Sequence, residues 1–198
     1  KKHGAKFDLR VMATHGGTVG WKAKELARTI VSGSIGGVIG SKFLGEKLGY
    51  DNIACSDIGG TSFDMAIITK GNFAIQSDPD MARLVLSLPL VAMDSVGAGA
   101  GSFIRIDPYS KAIPLGPDSA GYRVGMCWAE SGLDTVSVSD CHVVLGYLNP
   151  DNFLGGAIKL DVNRARKYLK EQIADPLGLT VEDAAAGVIE LLDLNLRE

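Results

Sequence analysis

Two aspartates, Asp57 and Asp64, flank a short turn of glycines and hydroxyl residues, Gly59-Gly60-Thr61-Ser62. Apolar runs lie on both sides, so we predict a hairpin with strands over residues 53–58 and 63–68. Glycine permits positive φ and lets backbone amides approach a ligand closely. Amides and hydroxyls suit phosphate oxygens, and a nearby carboxylate suits the accompanying Mg²⁺. The turn therefore indicates a phosphate site, with an ordinary Gly-Gly hairpin as the alternative.

A second glycine-rich segment is predicted to be helical. Residues 32–48 carry an apolar stripe at helical spacing, with Ser32 or Ser34 as the N-cap. Each glycine inside a helix costs up to roughly 1 kcal/mol relative to alanine. The glycines in its first turns therefore indicate that either another helix or a ligand comes close, and both alternatives stay open. They are Gly33, Gly36, Gly37 and Gly40.

A third glycine-rich segment follows Asp94 and has glycine at every second position from Gly97 to Gly101. This spacing disfavours a stable helix or strand and predicts a flexible loop that something approaches closely. A bare GxGxG is not a dinucleotide-binding fingerprint, because the required strand–loop–helix context is missing.

The remaining elements are predicted from periodicity, capping and turn residues. A third strand over residues 73–76 extends the hairpin into a β-meander beside the preceding helix. Asp161 and Thr180 are predicted N-caps of the last two helices. The fold class is therefore mixed α/β (α+β). The other predictions are strands over residues 7–13 and 135–138, helices over 21–30, 141–147 and 162–174, a hairpin over 103–106 and 112–115, and an irregular stretch over 116–134.

One group of residues carries atoms that can bind metals: Cys127, Asp140, Cys141 and His142. Only Cys141 and His142 are neighbours in sequence, so the spacing does not match a zinc motif. We therefore prefer simple helix capping and packing for this group.

The composition indicates the size of the domain and which classes of partner are not favoured. A chain of 198 residues, 46% apolar, fits one domain or two small ones with a buried core. The net charge of −3 gives no indication of a nucleic-acid or membrane partner. Three cysteines without CxxC spacing favour reduced thiols and a cytoplasmic location. No apolar run approaches the ~18 residues that a membrane span needs.

Five motifs in the same order resemble the hydantoinase A/oxoprolinase family of ATP-dependent enzymes, across nearly the whole chain. The family's D-[MI]-G-G-T-S-x-D hairpin corresponds to Asp57–Asp64, and its VGAGGGS corresponds to Val96–Ser102. Within the family, the chain is most similar to the acetone carboxylase branch, because Met93-Asp94-Ser95 stands where hydantoinases usually carry Asp-Ile-His. The other motifs lie at residues 32–40, 116–121 and 138–156.

The resemblance implies an actin/hexokinase-type ATPase lobe, with ATP and Mg²⁺ as cofactors. Asp57 would orient Mg²⁺-bound water as the metal residue, and Asp64 would brace the turn or a water. The implied catalytic residues are Asp57, Asp64 and Asp94, and Asp94, beside Ser95, lies on the substrate side. Phosphoryl transfer needs mainly positioning and charge neutralisation. The implied cofactor-binding residues are Gly36, Gly59, Gly60, Thr61, Ser62, Gly97, Gly99, Gly101 and Ser102.

The resemblance also implies a subunit of a hetero-oligomeric carboxylase that activates a ketone as its enol phosphate and bicarbonate as carboxyphosphate. The family's other phosphate loop and its adenine segment are not in these 198 residues. We therefore expect residues 1–198 to be a single central or C-terminal lobe of a longer subunit, which alone binds ATP weakly or not at all and does not turn over. The alternatives are an ATP-dependent hydantoinase or 5-oxoprolinase acting on a cyclic amide, and a non-catalytic scaffold that docks other subunits through residues 116–134.

Overall fold

The structure is a computed structural model that describes Gly4 and residues 6–81, 84–85 and 87–196. The chain divides into two compact units. The first unit takes the described residues up to Asp57 and those from Asp64 to Asp94. The second unit contains Ile58–Phe63 and continues from Ser95. The single-lobe organisation over residues 1–198 stays a prediction.

The first unit is built from short antiparallel strands and one long helix. A hairpin of two short strands comes first, and the strands over residues 53–58 and 63–69 form a second hairpin after the helix. A short third strand, Asn72–Phe73, pairs with the end of this second hairpin, Phe73 lying opposite Ile68. The elements are β1 (Arg10–Met12), β2 (Thr18–Gly20), α1 (Ser32–Leu48), β3 (Ile53–Ile58), β4 (Phe63–Thr69), β5 (Asn72–Phe73), β6 (Ile75–Gln76), β7 (Asp80–Met81), β8 (Leu84–Val85) and β9 (Leu90–Val91).

The core of the first unit lies between α1 and the sheet. Ile35 and Val38 of α1 are buried with Ala66, Ile68 and Val91. Side chains alternate along a strand, so β4 turns every second residue toward α1. The predicted hairpin and helix are therefore confirmed, and so is the mixed α/β class.

The second unit combines a β-hairpin with a helical part and has the larger core. After β10 (Asp94–Val96), β11 pairs with β12 in an antiparallel hairpin. The elements are β11 (Ser102–Ile104), β12 (Leu115–Ser119), α2 (Val138–Val144), α3 (Val162–Leu169), α4 (Asp175–Leu177) and α5 (Val181–Asn195). Their apolar faces bury residues such as Val138, Leu169 and Val188 in one cluster. No helix in the described part of the chain is long and apolar enough to span a bilayer.

The predicted caps of the last two helices are confirmed. Asp161 accepts a hydrogen bond from the Arg164 amide at 2.9 Å, and Thr180 accepts one from the Asp183 amide at 3.1 Å. Each side chain thereby satisfies an amide that has no partner within its own helix. Helix α3 then widens into a π turn, Lys170–Ala174, before α4.

Other predicted elements are wrong in detail. The predicted helix over residues 21–30 is only a 3₁₀ turn, Leu26–Thr29, and Leu26 is exposed, so no apolar face is buried there. The predicted strand over residues 135–138 is also wrong, because Ser137 is the N-cap of α2 and Val138 its first residue. The predicted strand over residues 73–76 is split, since Ile75 pairs with Val91.

The predicted N-cap of α1 is wrong as well. Val31 precedes the helix with φ 50° and offers no side-chain cap. The Ser34 hydroxyl donates to Asp64 instead. The predicted hairpin near residue 110 exists, but its strands are shifted to the ranges of β11 and β12.

Candidate functional site

The turn between β3 and β4 is tight and its tip is exposed. The Gly59 amide donates to the Ser62 carbonyl at 2.8 Å, which closes the turn. Neither Gly59 nor Gly60 has positive φ. At Gly60 the requirement is space, because a Cβ there would lie 3.1 Å from the Gly121 carbonyl oxygen. Thr61 is exposed at the tip.

The Gly97–Gly101 loop packs directly against this turn, within the second unit. The Ala100 amide donates to the Gly59 carbonyl at 3.0 Å, and the Gly101 amide donates to the Gly60 carbonyl at 2.9 Å. A Cβ on Gly99 would lie 2.5 Å from the Gly59 oxygen. The predicted close approach is confirmed, and the approaching group is the backbone of the turn itself.

Hydrogen bonds hold the loop from its other side. The Gly99 amide donates to Ser102 Oγ at 2.9 Å, and Ser139 Oγ of α2 donates to the Ala100 carbonyl at 2.8 Å. The Ala120 amide donates to the Gly101 carbonyl at 2.8 Å. The loop is therefore a fixed support rather than a free flap.

These bonds bear on the predicted cofactor-binding residues of the loop. Gly99, Gly101 and Ser102 are buried, and the amides of Gly99 and Gly101 are already used inside the protein. Through these bonds they hold the turn in place, and a direct contact of their remaining atoms with a cofactor stays a prediction. Gly97 is exposed and lines a separate cavity of about 370 Å³ with Pro117.

The turn keeps several donors that the described residues do not use. Within that part of the chain, the amides of Gly60, Thr61 and Ser62 donate no hydrogen bond. The Thr61 hydroxyl lies 3.0 Å from the hydroxyl of Ser119, at the end of β12. Successive amides of a turn are able to bind an anion when they point to one side. The Thr61 and Ser62 nitrogens lie near Gly99, each 3.1 Å from the position that a Cβ on Gly99 would take. Sequence reasoning assigned no role to Ser119, although its GPDSAG motif was the available signal.

The two acids that flank the turn line a cavity in the first unit. Its volume is about 180 Å³, and Asp57 and Asp64 contribute carboxylates to it. The Ser34 hydroxyl donates to Asp64 Oδ2 at 2.7 Å, which ties the first turn of α1 to the start of β4. Further polar lining comes from Ser41 and Ser56.

This set of oxygen atoms fits a hard cation. Mg²⁺ prefers one or two carboxylates together with waters and substrate phosphates, rather than a full cage of protein ligands. Two aspartates and three serines are among the residues that line the cavity. Across the described residues, no group of three His, Cys, Asp or Glu could hold a metal by itself. The residues therefore fit a Mg²⁺ ion whose other ligands are waters and substrate phosphates, and they do not form a closed metal site.

The glycines of α1 are open. A Cβ on Gly33, Gly36, Gly37 or Gly40 would meet no atom within 4 Å apart from the helix's own backbone and chain neighbours. Among the described residues, the predicted close packing of another helix is therefore absent, and ligand approach is the alternative that stays open. Gly37 lines the acidic cavity. Gly36 is half-buried beside it.

Asp94 lies at a second, larger cavity of the first unit. This cavity has a volume of about 580 Å³, with Ile67, Phe73 and Met93 in its lining. Asp94 is exposed and is the one carboxylate among its lining residues.

The Cys127–His142 group is a capping network, as preferred from the sequence. Buried Asp140 accepts hydrogen bonds from the amides of Met126 at 3.1 Å, Cys127 at 2.6 Å and Ser137 at 2.8 Å. Burial raises the pKa of the Cys127 thiol, and the nearby Asp140 carboxylate raises it further. The thiol therefore stays protonated, which is unsuited to metal ligation.

Comparison with known proteins gives consistent relatives. The hydantoinase/oxoprolinase family matches residues 1–198. The chain is 78% identical over 198 residues to the acetone carboxylase beta subunit of Xanthobacter autotrophicus (strain ATCC BAA-1158 / Py2), covering 100% of this chain and 28% of that subunit. The chain thus spans well under a third of that relative's length.

Solved structures agree with the sequence relatives. The nucleotide-free structure of acetone carboxylase, solved for the mechanism of ATP-dependent acetone carboxylation, matches with a TM-score of 0.95 and 78% identity over 99% of this chain and 28% of that one. The ATP-dependent caprolactamase from Pseudomonas jessenii matches with a TM-score of 0.79 and 31% identity over 97% of this chain and 28% of that one. The chain therefore belongs to the hydantoinase/oxoprolinase family.

Proposed function

We propose that the chain is part of an ATP-dependent carboxylase subunit of the acetone carboxylase kind, which phosphorylates a ketone and bicarbonate. The identity of 78% to an acetone carboxylase beta subunit supports this assignment. The partners are other carboxylase subunits, since that relative is itself named as one subunit. The fold would be one lobe of an actin/hexokinase-type ATPase. The proposal includes a cytoplasmic location, in keeping with three free cysteines.

The observation that carries the proposal is the preorganised turn. Three amides, of Gly60, Thr61 and Ser62, find no partner among the described residues, while the carbonyls of Gly59 and Gly60 are fixed by the glycine loop. Donors that are held in place before a phosphate arrives bind it without a further ordering cost. These amides and the Thr61 hydroxyl would hold the phosphate oxygens.

The acids of the first unit have separate roles in this proposal. Asp57 would orient water bound to Mg²⁺, and that cation would neutralise charge on the phosphates when bound. Asp64 would brace the cavity through its bond with Ser34, since this bond fixes the carboxylate against α1. Phosphoryl transfer depends mainly on such positioning. Asp94 would face the substrate from its own cavity.

The proposed chemistry activates two inert oxygens. The ketone would lose an α-proton, and its enolate oxygen would form a bond to a terminal phosphorus of ATP while the phosphoanhydride P–O bond breaks, which gives the enol phosphate and releases the shortened nucleotide. A bicarbonate oxygen would attack phosphorus in the same way, with the same bond broken and its proton released, and become carboxyphosphate. This chain contributes binding and orientation in both transfers.

A second candidate is an ATP-dependent hydrolase of cyclic amides. The likeness to a caprolactamase, with a TM-score of 0.79, favours a shared scaffold. Hydrolysis of ATP by the full-length protein and its co-purifying subunits separates the two functions. We expect ATP use that depends on acetone or a similar ketone with bicarbonate. ATP use that depends on caprolactam, hydantoin or 5-oxoproline, and not on a ketone, would establish the second candidate.

A non-catalytic scaffold is the third possibility, and Asp57 tests it. Tyr122 is exposed in the segment predicted to dock partners, but Trp128 packs against the core of the second unit. Asp57→Ala in the full-length protein should lower ketone-dependent ATP use by about 100-fold or more, with unchanged assembly. Asp51→Ala, an exposed acid of the same unit, is the matched control. ATP use that is unchanged in Asp57→Ala would support the scaffold.

A further inference from the structure

Ser119 holds a hydroxyl at the tip of the turn, within the second unit. Its Oγ lies 3.0 Å from Thr61 Oγ1, and the Gly121 amide donates to it at 3.3 Å. A hydroxyl has one proton to donate and can accept two hydrogen bonds. Whichever hydroxyl donates within the pair, the other keeps its proton. The Thr61–Ser119 pair therefore carries one O–H that the described residues do not use.

The backbone around Ser119 is fixed without its hydroxyl. The Ala120 amide donates to the Gly101 carbonyl at 2.8 Å, and the Gly101 amide donates to the Gly60 carbonyl at 2.9 Å. Backbone bonds through Gly101 thus tie the end of β12 to the turn independently of the hydroxyl pair. The hydroxyl is not needed to hold this segment in place.

The charge beside Ser119 is also compensated. The neighbouring carboxylate, Asp118, pairs with Arg105 at 3.2 Å. An anion approaching the turn therefore does not meet an unpaired negative charge at that position. Three unused amides, of Gly60, Thr61 and Ser62, lie on the turn that Ser119 joins.

We infer that Ser119 belongs to the phosphate site of the turn: paired with Thr61, it gives the site one hydroxyl donor directed to a phosphate oxygen. This inference rests on the proposed function and adds a residue to it. The Gly121 amide fills one acceptor position on Ser119 and leaves the free O–H of the pair untouched. The ligand class is a nucleoside triphosphate, bound through its phosphates.

The test measures ATP kinetics in the full-length protein with its co-purifying subunits. Ser119→Ala should raise the KM for Mg-ATP about tenfold, the lower end for losing one hydrogen bond to a charged group. The KM values for ketone and bicarbonate should stay unchanged. Ser119→Thr keeps a hydroxyl and should restore most of the ATP affinity. The matched control is Ser110→Ala, an exposed serine of the same unit that bonds Asp107.

Two further measurements separate a binding role from a structural one. Because the pair supplies a single O–H to the phosphate, the Thr61→Ala and Ser119→Ala effects on KM should be strongly non-additive in the double variant. Ser119→Asp can still accept from Gly121 and Thr61 but repels phosphate, so it should lose Mg-ATP affinity even if Ser119→Ala folds poorly. Retained affinity in Ser119→Asp would overturn the inference.

The outcomes also separate a failure of the role of Ser119 from a failure of the proposed function. Wild-type protein that uses Mg-ATP, with Ser119→Ala matching Ser110→Ala in KM, would overturn the role of Ser119 and leave the proposed function standing. A Ser119→Ala variant that loses thermal stability and kcat with unchanged KM for Mg-ATP would make Ser119 purely structural. Wild-type protein that neither binds nor uses Mg-ATP would overturn both.

Discussion

The glycines of the first unit and those of the second meet different surroundings. On α1, a Cβ at Gly36 or Gly37 would find no neighbouring atom within 4 Å beyond the local backbone. In the second unit, a Cβ on Gly99 would lie 2.5 Å from the Gly59 oxygen, and one on Gly101 would lie 2.7 Å from the Gly60 oxygen. Glycine thus faces open space in the first unit, whereas in the second unit it allows two backbone segments to pack in contact.

The aspartates of the two units also differ in burial and in hydrogen bonding. Asp140 is fully buried in the second unit and is surrounded by backbone donors. Asp57 is exposed in the first unit and lines a cavity. A saturated carboxylate stabilises the fold, whereas one that faces a cavity is available to a ligand. The second unit is therefore the support of the turn, and the first unit holds the accessible acids.

The largest effect is expected when the buried carboxylate of the second unit is removed. Asp140→Ala would leave the amides of Met126, Cys127 and Ser137 buried without an acceptor. We expect the second unit to lose about 3–5 kcal/mol of stability, since each orphaned group costs about 1–3 kcal/mol. Hydrogen exchange of these amides in the full-length protein measures the loss. Asp134→Ala, an exposed acid of the same unit, is the control, and equal exchange in both variants would contradict the comparison.

The next test fills the space at the glycine loop. Gly99→Ala would force a methyl group onto the Gly59 oxygen, and we expect a loss of about 1–3 kcal/mol, as for other overpacked sites. The turn should shift, so Mg-ATP affinity should fall as well. Gly187→Ala on α5 meets nothing within 4 Å and serves as the control. Thermal unfolding and Mg-ATP titration of both variants make the measurement. An unchanged Gly99→Ala protein would show that the loop does not support the turn.

The open glycines of the first unit should respond in the opposite direction. Gly36→Ala adds a methyl group to open space in α1 and should stabilise the helix by about 0.5–1 kcal/mol. The thermal midpoint of the full-length protein reports this gain. Mg-ATP affinity tests the predicted contact of Gly36 with the cofactor. A raised Kd together with a raised midpoint would place a ligand against this face of α1, and a lowered midpoint would contradict the open surroundings.

The smallest expected effect is a pH dependence of the second unit. Burial lowers the pKa of His142, and the Asp193 carboxylate opposes this in part. The unfolded state therefore binds the proton more readily, so stability should rise with pH and fall as the pH drops through the ordinary histidine value of about 6.5. Urea midpoints of wild type and His142→Gln between pH 5 and 8 measure it. If acidification stabilised the wild type relative to the variant, the expected direction of the pH dependence would be wrong.

Much of the site could be predicted locally. The strands around the turn, the helix α1, and the caps Asp161 and Thr180 follow from periodicity and from side chains that bond amides three residues away. The short helix expected near Trp21 failed, because its apolar residues are not buried by another element. The N-cap of α1 failed because Ser34 bonds Asp64, 30 residues away in sequence.

The sequence by itself determined the family, the hairpin and the identity of the acids, because these depend on motifs and on short-range periodicity. Only the tertiary structure decided which glycines pack against another backbone segment and which face open space. Gly99 and Gly101 support the turn because the backbone of Gly59 and Gly60 lies against them. It also brought Ser119 to Thr61 across 58 positions of sequence. Contacts between distant residues depend on packing, which no local pattern encodes.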